Sequence, residues 1–555
     1  MILYKTIKKI FTESNLLNLV KEDDTWFYCI FDKKNLPSQG WKGHLSVKTI
    51  DANSVVYLAL QYLIKKNISF KIVKSLSVLK KINGVHYPLG SANKFITLYP
   101  KNYEELEAVF RDLNQIIGDY ETPMIFTDKQ VIKNKSFHYR YGSFIKKYRY
   151  SEKENRPIYL IKDLSGEYVE DIRKVGHYKP DFIEEPYKMN LDMPIVKNVA
   201  SSYFNKKYKI VRSLSQSNKG SVSVIVGKEN NKKFILKEAR KNIFFDYFPY
   251  TSINLLLNEI DMLNTVSKLN ITPKVIDVFK YQDSTFFVEE YIEGIPLSKF
   301  IENNTLDISR KILLINDLIR EVKKIHQLNI VIGDISTNNF IINNNNKIII
   351  IDLETASNKN NRLKKNIGTP IFTNTESNMF NSIESDDYSL LITIFSILLN
   401  SAIYLELNKS SDYISWKEKI YIIFEAITNL YDKNLFKEIP FIKEFFDKNK
   451  IIEETDNFDI INIYIGKLIE TINYTLVHND NYWNIIGEFA KERNKYCIQH
   501  GYLGRLSVLK YLDIDIAKYG KYLDKIERFN FSEPGYLFGS AGIVLGLLEI
   551  NRNGY

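Results

Sequence analysis

The stretch that decides the fold lies between residues 332 and 352. It opens with Ile332-Gly333-Asp334-Ile335-Ser336-Thr337-Asn338-Asn339 and closes, after a turn, with Ile348-Ile349-Ile350-Ile351-Asp352. Asp334 precedes Asn339 by five residues, and Asp352 follows an apolar run that is typical of a buried strand. Asp334 is thus placed to accept a hydroxyl proton, and Asn339 with Asp352 to hold Mg²⁺. Phosphoryl transfer from a nucleotide requires these groups.

Two charged residues upstream of this stretch fit the same chemistry. Lys237 ends the apolar run Phe234-Ile235-Leu236-Lys237, from which its ammonium group can reach the α- and β-phosphates of a nucleotide. Glu259 lies on the next helical pattern and is the natural ion-pair partner of Lys237. The run Phe286-Phe287-Val288-Glu289-Glu290-Tyr291 predicts a strand that leads into a hinge at Glu290, whose backbone is expected to bind the nucleotide base.

The loop expected to cover the phosphates is unusual. Between Ser213 and Val224 it contains a single glycine, Gly220. We therefore expect phosphate contacts from Gly220 and from the backbone N–H groups of its neighbours, which are Ser217, Asn218 and Ser221.

These elements, in this order, resemble a bilobal protein kinase. Gly368-Thr369-Pro370 and Glu376 resemble the end of an activation segment, and Asp386 resembles the anchor of the C-terminal lobe. Gly333 stands where kinases carry an arginine, which argues against control by a phosphorylated activation loop. Asp352-Leu353-Glu354 lacks the usual Phe-Gly pair, which argues against the common inactive flip of this loop. A pseudokinase scaffold and a small-molecule phosphotransferase remain alternatives.

Composition sets the class of protein. A chain of 555 residues is too long for one core, and its 45% hydrophobic and 26% charged residues are ordinary for globular domains. The net charge of +10 favours an acidic or phosphorylated partner or a nucleotide. No block of basic residues stands out, so we expect no nucleic-acid partner.

Cysteine usage and the chain start indicate a cytoplasmic protein. Cys29 and Cys497 are the only cysteines, too few for a disulfide framework or a Cys-rich zinc site. The first residues lack the apolar region of a secretion signal. The uncharged run 388–405 is long enough to raise the question of a membrane span, but its serines and threonines and its place in the kinase favour a buried helix. We expect no membrane contact.

Three domains are predicted. Residues 1–190 form an α+β domain, with helices at Val55–Leu63 and Tyr103–Ile117 and strands at Phe95–Tyr99 and Pro123–Thr127. A linker is predicted at Pro186–Ser202. The kinase-like domain is predicted to span residues 205–480, and an all-α segment residues 481–555.

The N-terminal domain carries five basic residues in short apolar or aromatic segments. Lys42 and His44 are two residues apart and would share one face of a strand. Lys71, Lys94 and Arg140 lie among apolar or aromatic neighbours. Singly, each is more readily a solvated edge residue or a satisfied core residue than a functional one. Together they suit the β-elimination of phosphate from phosphoserine or phosphothreonine: Lys71 as the base, His44 as the acid, and Lys42, Lys94 and Arg140 as a clamp on the phosphate.

At this point the chain resembles a known family, the class III lanthipeptide synthetases. The resemblance is carried by Trp41-Lys42-x-His44, Phe70-Lys71, Lys94-Phe95-Ile96-Thr97, Tyr139-Arg140-Tyr141-Gly142 and Gly333-Asp334-Ile335-Ser336-x-x-Asn339. It implies a phospho-Ser/Thr lyase, a kinase and a lanthionine cyclase acting on a ribosomal precursor peptide. Ser and Thr would be phosphorylated with ATP or another NTP and Mg²⁺, and phosphate would then be eliminated to leave dehydroalanine and dehydrobutyrine.

The C-terminal segment departs most from that family. Cys497-Ile498-Gln499-His500-Gly501-Tyr502-Leu503-Gly504 and Gly535-Tyr536-Leu537-Phe538-Gly539-Ser540-Ala541-Gly542 resemble inner helices of a cyclase toroid. A closed toroid needs a much longer segment, so ring closure is not expected from this polypeptide alone. Two ligand types on one helix make a poor zinc site, so no zinc is expected.

The partner and the alternatives follow from the same residues. The resemblance implies a precursor peptide with a leader, and the positive net charge favours an acidic leader. A homodimer through incomplete C-terminal helices is a further option. The main alternative function is a regulatory Ser/Thr kinase whose basic N-terminal domain only binds a phosphorylated or acidic partner. A non-catalytic scaffold is the third hypothesis.

Overall fold

The computed structural model of the chain separates into two compact units, Met1–Ile292 and Glu293–Tyr555. The structure describes residues 2–118, 120–131, 136–145, 147–151, 156–185, 199–244, 250–281, 283–303, 306–358, 368–369, 372–374, 382–400, 416–431 and 435–451. The predicted segment 481–555, Glu376, Pro370 and most of the predicted linker Pro186–Ser202 lie outside these residues.

A seven-stranded antiparallel sheet forms the centre of the N-terminal domain. Its strands are β1 Val20–Glu22, β2 Trp26–Cys29, β3 Gln39–Leu45, β4 Ser69–Val73, β5 Ile96–Tyr99, β6 Lys129–Gln130 and β7 Phe137–Ser143. They run in the order β1-β2-β4-β5-β3-β7-β6. Helices of this domain are α1 Ile2–Glu13, α2 Ala52–Lys65, α3 Leu76–Ile82 and α4 Tyr103–Ile117. The helices predicted at Val55–Leu63 and Tyr103–Ile117 and the strand predicted at Phe95–Tyr99 are confirmed.

The two faces of this sheet differ because side chains alternate along each strand. Apolar residues of the strands, among them Leu45, Phe70 and Leu98, pack into one core with residues of the helices. The opposite face carries polar groups in register across the strands. His44 lies opposite Thr97, which lies opposite Lys71. The register therefore gathers the basic residues predicted from sequence on one face.

The segment Pro123–Thr127 is not a strand, and that prediction is wrong. Its polar backbone groups bond to side chains, to its own turn and to the Gly176 N–H instead of a neighbouring strand. The Ile125 N–H donates to His138 Nε2 (3.3 Å), and Met124 O accepts from the Asn93 amide (2.8 Å). The apolar run is buried as a loop, which carries Asp128 into the polar face of the sheet.

A small sheet and the kinase-like sheet complete this unit. The small sheet has the order β10-β9-β8, with β8 Tyr148–Ser151, β9 Arg156–Lys162 and β10 Tyr168–Glu170. Helix α5, Val199–Lys207, contains the end of the predicted linker and leads into β11 Tyr208–Gln216, β12 Ser221–Gly227, β13 Lys233–Arg240, β14 Val275–Tyr281 and β15 Ser284–Glu290. These strands form an antiparallel sheet in the order β11-β12-β13-β15-β14. Helix α6, Ser252–Val266, begins with a capping box between Thr251 and Asn254.

The second unit is mainly helical. A three-stranded sheet in the order β16-β17-β18 contains β16 Gly294–Pro296, β17 Phe340–Asn343 and β18 Ile348–Ile350. The helices are α7 Leu297–Asn303, α8 Ile308–His326, α9 Ile383–Leu398, α10 Trp416–Leu430, α11 Leu435–Glu438 and α12 Pro440–Asn449. The multidomain α+β class with a kinase-like domain, predicted from sequence, is confirmed.

Helix α9 covers most of the uncharged run and is a buried helix of this unit. Its hydroxyl groups are satisfied within the protein: Thr393 donates to Ser389 O (2.9 Å) and Ser396 to Ile392 O (2.9 Å). No helix in the described part of the chain is both long and apolar enough to cross a bilayer.

Candidate active sites

The polar face of the N-terminal sheet holds a buried cluster of charged groups. Lys42 and His44 on β3, Lys94 before β5 and Arg140 on β7 are each at most 7% exposed. Burying a charged group is costly unless an opposite charge or a hydrogen bond compensates it. The partners are Asp128, from the loop that precedes β6, and Asp171, just after β10.

Asp128 joins His44 to Lys94. Its Oδ2 atom lies 2.5 Å from His44 Nδ1, and its Oδ1 atom lies 3.4 Å from Lys94 Nζ. Burial alone would raise the pKa of the Asp128 carboxyl, but the charges of Lys94 and His44 hold this pKa well below its ordinary value. Asp128 is therefore a fixed anion, and it orients the imidazole ring of His44.

Asp171 holds the arginines in the same way. Its carboxylate forms a salt bridge with Arg140 and accepts a hydrogen bond from Arg173 NH2 at 3.1 Å. Burial acts to raise the pKa of Asp171, yet the charges of Arg140 and Lys42 keep it below the ordinary range. Arg173, which the sequence did not single out, thus joins the cluster.

Basic groups outnumber carboxylates in this cluster. Four basic groups, Lys42, Lys94, Arg140 and Arg173, face the two carboxylates. Burial and then its cationic neighbours, Arg140 first, lower the pKa of Lys42 well below its ordinary value. Burial lowers the pKa of Lys94 to about 8, against the opposing effect of Asp128. Burial also keeps the pKa of His44 well below its ordinary value, although Asp128 acts to raise it.

Lys71 shares the sheet face with this cluster but is less buried. Thr97 on β5 separates it from His44, so the two Cα atoms are roughly 10 Å apart, two strand spacings. The Lys71 ammonium lies 4.1 Å from the centroid of the Trp26 ring, a cation–π contact. The structure therefore brings together His44, Lys42, Lys94 and Arg140 and places Lys71 beside them across β5.

The predicted ion pair of the kinase-like sheet is present. Lys237 on β13 forms a salt bridge with Glu259 on α6. A second carboxylate, Glu289 on β15, places its Oε1 atom 3.3 Å from Lys237 Nζ, and the sequence did not assign it a role. Glu290 follows at the end of β15, where its N–H donates to Lys274 O (2.9 Å). This N–H is therefore not free for a nucleotide base.

The hairpin between β11 and β12 differs from its prediction. The Ser217 N–H donates to Gly220 O (2.9 Å), which leaves it no hydrogen for a phosphate, contrary to the sequence prediction. A Cβ atom on Gly220 would lie 1.7 Å from Glu238 O. The glycine is therefore needed for the close approach of the hairpin to β13.

The second unit contains the predicted phosphotransfer loop. Asp334 Oδ1 accepts from the Thr369 N–H (2.7 Å), and Asp334 Oδ2 accepts from Asn339 Nδ2 (3.0 Å). Asn339 Nδ2 also donates to Asp334 O (2.9 Å), so its amide hydrogens face Asp334 and its Oδ1 atom is left as a ligand group. Burial raises the pKa of Asp334 above its ordinary value.

A carboxylate from Asp386 fixes the start of this loop. It accepts from the Ile332 N–H (2.6 Å) and the Gly333 N–H (2.8 Å), and it contacts His326 Nε2 (2.9 Å). Gly333 has φ +84°, and a Cβ atom there would lie 2.7 Å from Thr355 O. An arginine does not fit here, which is the physical reason for the departure from the usual kinase pattern.

The metal-binding residues predicted from sequence offer the oxygen ligands that Mg²⁺ prefers. Asp352 has φ +65°, a left-handed backbone conformation that a residue other than glycine adopts only where the surrounding structure stabilises it. Leu353 after it is fully buried, and a carboxylate oxygen of Glu354 lies within 4.8 Å of one of Asp352. Asp352 and Glu354 thus bring two carboxylates together as ligands for a divalent cation, and Asn339 stays a predicted ligand.

Comparison with known proteins gives one family match for the N-terminal domain and one for the kinase-like domain. Residues 18–195 match the family model described as RamC, N-terminal domain, and residues 208–459 match the protein kinase domain. The chain is 24% identical over 360 residues to a probable SapB synthase of Streptomyces coelicolor. That alignment covers 61% of this chain and 37% of the relative, so the chain spans well under half of the relative's length.

Proposed function

Because this chain fits the class III lanthipeptide synthetases, with a RamC-type N-terminal domain followed by a protein kinase domain, we propose that it dehydrates a ribosomally made precursor peptide in two steps. The kinase domain transfers a phosphoryl group from ATP or another NTP, with Mg²⁺, to Ser or Thr. The N-terminal domain then eliminates the phosphate and leaves dehydroalanine or dehydrobutyrine.

The observation that carries the proposal is the charge excess of the N-terminal cluster. Its four basic groups outnumber its two carboxylates, and when all four are protonated the excess is two charges, which matches a phosphate ester dianion. Without such an anion the buried cations repel one another, and burial penalises each of them. A phosphorylated side chain relieves both effects at once.

The elimination uses the groups around this phosphate. Lys71 accepts the α-proton of the phosphorylated residue, and the C–H electrons form the double bond as the Cβ–O bond breaks. His44 gives a proton to the departing bridging oxygen, so phosphate leaves as a dianion. Lys42, Lys94 and Arg140 hold the other phosphate oxygens, and Arg173 supports them. The phosphate raises the pKa of His44 and so supports the protonated ring that the step requires.

In the phosphorylation step Asp334 accepts the proton of the attacking hydroxyl. Thr369 and Asn339 orient its carboxylate. Asn339 and Asp352 would hold Mg²⁺, with Glu354 as a neighbour, and the cation would neutralise the phosphates during transfer. Lys237, held by Glu259 and Glu289, would contact the nucleotide phosphates.

Intact mass of the peptide separates the two steps. A short Ser/Thr/Cys-rich peptide encoded beside this chain is incubated with ATP, Mg²⁺ and the full-length protein. We expect loss of water with the unmodified enzyme, no mass change with Asp334→Asn, and accumulated phosphopeptide with His44→Ala. Phosphate addition without elimination by the unmodified enzyme would instead support a regulatory kinase with a binding N-terminal domain.

A pair of lysine variants tests which residue is the base. Arginine keeps the positive charge but does not lose its proton at neutral pH. Lys71→Arg should therefore lower elimination from a preformed phosphopeptide by about 10²–10⁴-fold, the usual contribution of a general base. Lys42→Arg, which keeps the clamp, should cost about tenfold or less. The reverse order would assign the base to Lys42, whose pKa burial lowers.

The charge of the peptide leader and the location of the enzyme are part of the same proposal. The net charge of +10 supports an acidic leader on the precursor peptide and gives no reason to invoke nucleic acid. We place the enzyme in the cytoplasm, where ATP and the peptide are available.

A further inference from the structure

The kinase-like sheet touches the N-terminal domain through the tip of its phosphate-loop hairpin. Asn218, between β11 and β12, is 0% exposed. Its amide donates to Gly84 O (3.0 Å) and to Asn93 Oδ1 (3.1 Å). The Asn93 amide in turn donates to Asn218 Oδ1 (2.9 Å). Two buried amides therefore satisfy each other across the two domains.

The same contact extends to the two segments that carry Lys94 and Asp128. Asn93 immediately precedes Lys94, and its amide also donates to Met124 O (2.8 Å) in the loop that carries Asp128. Asn93 is 1% exposed and has φ +64°, so its conformation depends on these bonds. The bonds of Asn218 thus reach both Lys94 and the Asp128 loop through Asn93.

Two further residues at the end of β13 hold the Asp128 loop. The Arg240 guanidinium lies 3.9 Å from the centroid of the Phe126 ring, and Asn242 Nδ2 donates to Thr122 O (3.2 Å). Arg240 also donates through NH1 to Ser217 O (2.6 Å), which fixes the hairpin. The end of β13 therefore supports both the hairpin and the Asp128 loop.

We propose that Asn218 is a positioning residue for phosphate elimination and that it couples nucleotide binding at the hairpin to phosphate binding at Lys94. The proposal rests on the proposed function. The hairpin, Asn93 and the Asp128 loop share one hydrogen-bond network, so a nucleotide that binds the hairpin in this arrangement also favours the arrangement of the phosphate cluster. Thermodynamic linkage makes the effect reciprocal: phosphate at Lys94 tightens nucleotide binding by the same factor.

The coupling is measurable in the unmodified full-length protein. Inorganic phosphate is titrated by calorimetry with and without saturating AMP-PNP and Mg²⁺, and Lys94→Met reports any phosphate bound elsewhere. We expect AMP-PNP to tighten phosphate binding by about fivefold or more, the lower range of allosteric coupling. An unchanged or weaker affinity overturns the proposal.

A matched pair of variants assigns the coupling to Asn218. Asn218→Ala removes the buried amide, and Lys241→Ala removes an exposed ion pair with Glu121 (2.6 Å) at the same contact. With a preformed phosphoserine peptide, Asn218→Ala should lower kcat about tenfold and abolish the effect of AMP-PNP on KM. Lys241→Ala should retain both, because exposed ion pairs contribute little.

Three readouts separate misfolding, a wrong positioning role and a wrong function. A thermal unfolding midpoint of Asn218→Ala within about 4–8 °C of the unmodified enzyme shows a folded protein. Equal loss of AMP-PNP coupling in both variants overturns the role of Asn218. If the unmodified enzyme eliminates no phosphate, the proposed function fails, while the calorimetric coupling still decides the proposal about the hairpin.

Discussion

The two sites of this chain that we propose to bind phosphate have opposite charge. The N-terminal cluster surrounds its site with Lys42, Lys94 and Arg140, and its carboxylates are already engaged by these cations. The loop at residues 334–354 instead presents Asp334, Asp352 and Glu354. The first site attracts a phosphate dianion by itself. The second repels one until a divalent cation arrives.

Under the proposed function, this difference would let one chain add a phosphate and then remove it. The kinase loop would recognise phosphate through metal that accompanies the nucleotide. The N-terminal cluster would recognise phosphate directly, so a phosphorylated product would be attracted to the basic site and not to the acidic one. The following predictions test this contrast.

The largest effect should come from removal of divalent cations. Excess EDTA should lower phosphorylation of the precursor peptide by at least about 10³-fold, because the cation neutralises several charges in the transition state. Elimination from a preformed phosphopeptide should stay within about twofold, since the described cluster binds phosphate with side chains. Mass spectrometry of both reactions checks this, and parallel loss of both would break the comparison.

The next effect concerns Asp128. Asp128→Asn should lower kcat for elimination by about 10–100-fold, because it removes the carboxylate that orients His44 and raises its pKa. The limb of the pH–rate profile that reports His44 should move to lower pH. Glu104→Gln, on the exposed first turn of α4, is the control and should leave the profile in place. An unchanged profile in Asp128→Asn would contradict the assigned orientation of His44.

A smaller effect is expected on the pH dependence of phosphate binding. The pKa of Lys94 is about 8 in the empty site, and a bound dianion favours its charged form. Binding should therefore take up protons, and phosphate affinity should fall about tenfold per pH unit above pH 8. Calorimetry in two buffers with different ionisation enthalpies measures the uptake. Affinity that rises with pH would contradict the charge excess.

The smallest effect concerns the pH dependence of stability, and it compares Lys94 with a buried lysine outside both sites. Lys311 on α8 is buried, donates to Leu398 O (2.9 Å) and to the Tyr431 hydroxyl (3.0 Å), and burial lowers its pKa to about 8. An unfolded lysine keeps its ordinary value of 10.5, so between these pH values the unfolded state binds more protons. The free energy of unfolding should therefore rise with pH there, by about 1.4 kcal/mol per unit.

Lys311→Met should remove this rise, and Lys443→Met, on the exposed face of α12, should not. Thermal unfolding at pH 8 and pH 9 measures the difference as a shift of about 2–4 °C in Tm. An equal change of Tm with pH in all three proteins would show that burial does not lower the pKa of Lys311. Lys311 also shows that burial alone lowers a lysine pKa, so function at Lys94 depends on its neighbours.

The kinase features were predictable because their spacing is local. Asp334 and Asn339 lie on one loop, and Lys237 ends an apolar run that marks its own strand. The sharing of one sheet face by Lys42 and His44 follows from the two-residue period of a strand. Gly333 was noted as a departure, but its positive φ and the contact with Thr355 required the structure.

The remaining site residues depend on contacts that no local pattern shows. Lys71 reaches the row of His44 only because β5 lies between β4 and β3, a non-sequential order. Asp128 ends a loop whose apolar run was predicted as a strand, and an aspartate after such a run is ordinarily solvated. Asn218 meets Asn93 across 125 positions of sequence. Glu289 lies within a strand, where only the register shows that it faces Lys237.

The burial of Cys29 in β2 protects its thiol from the product of the proposed reaction. Dehydroalanine and dehydrobutyrine are electrophiles that a thiolate attacks. Among the described residues Cys29 is the one cysteine; it is 0% exposed, and burial raises the pKa of its thiol to about 12. At neutral pH it stays protonated and out of reach. On its polar sheet face the described part of the enzyme thus carries no nucleophilic sulfur that its own product could alkylate.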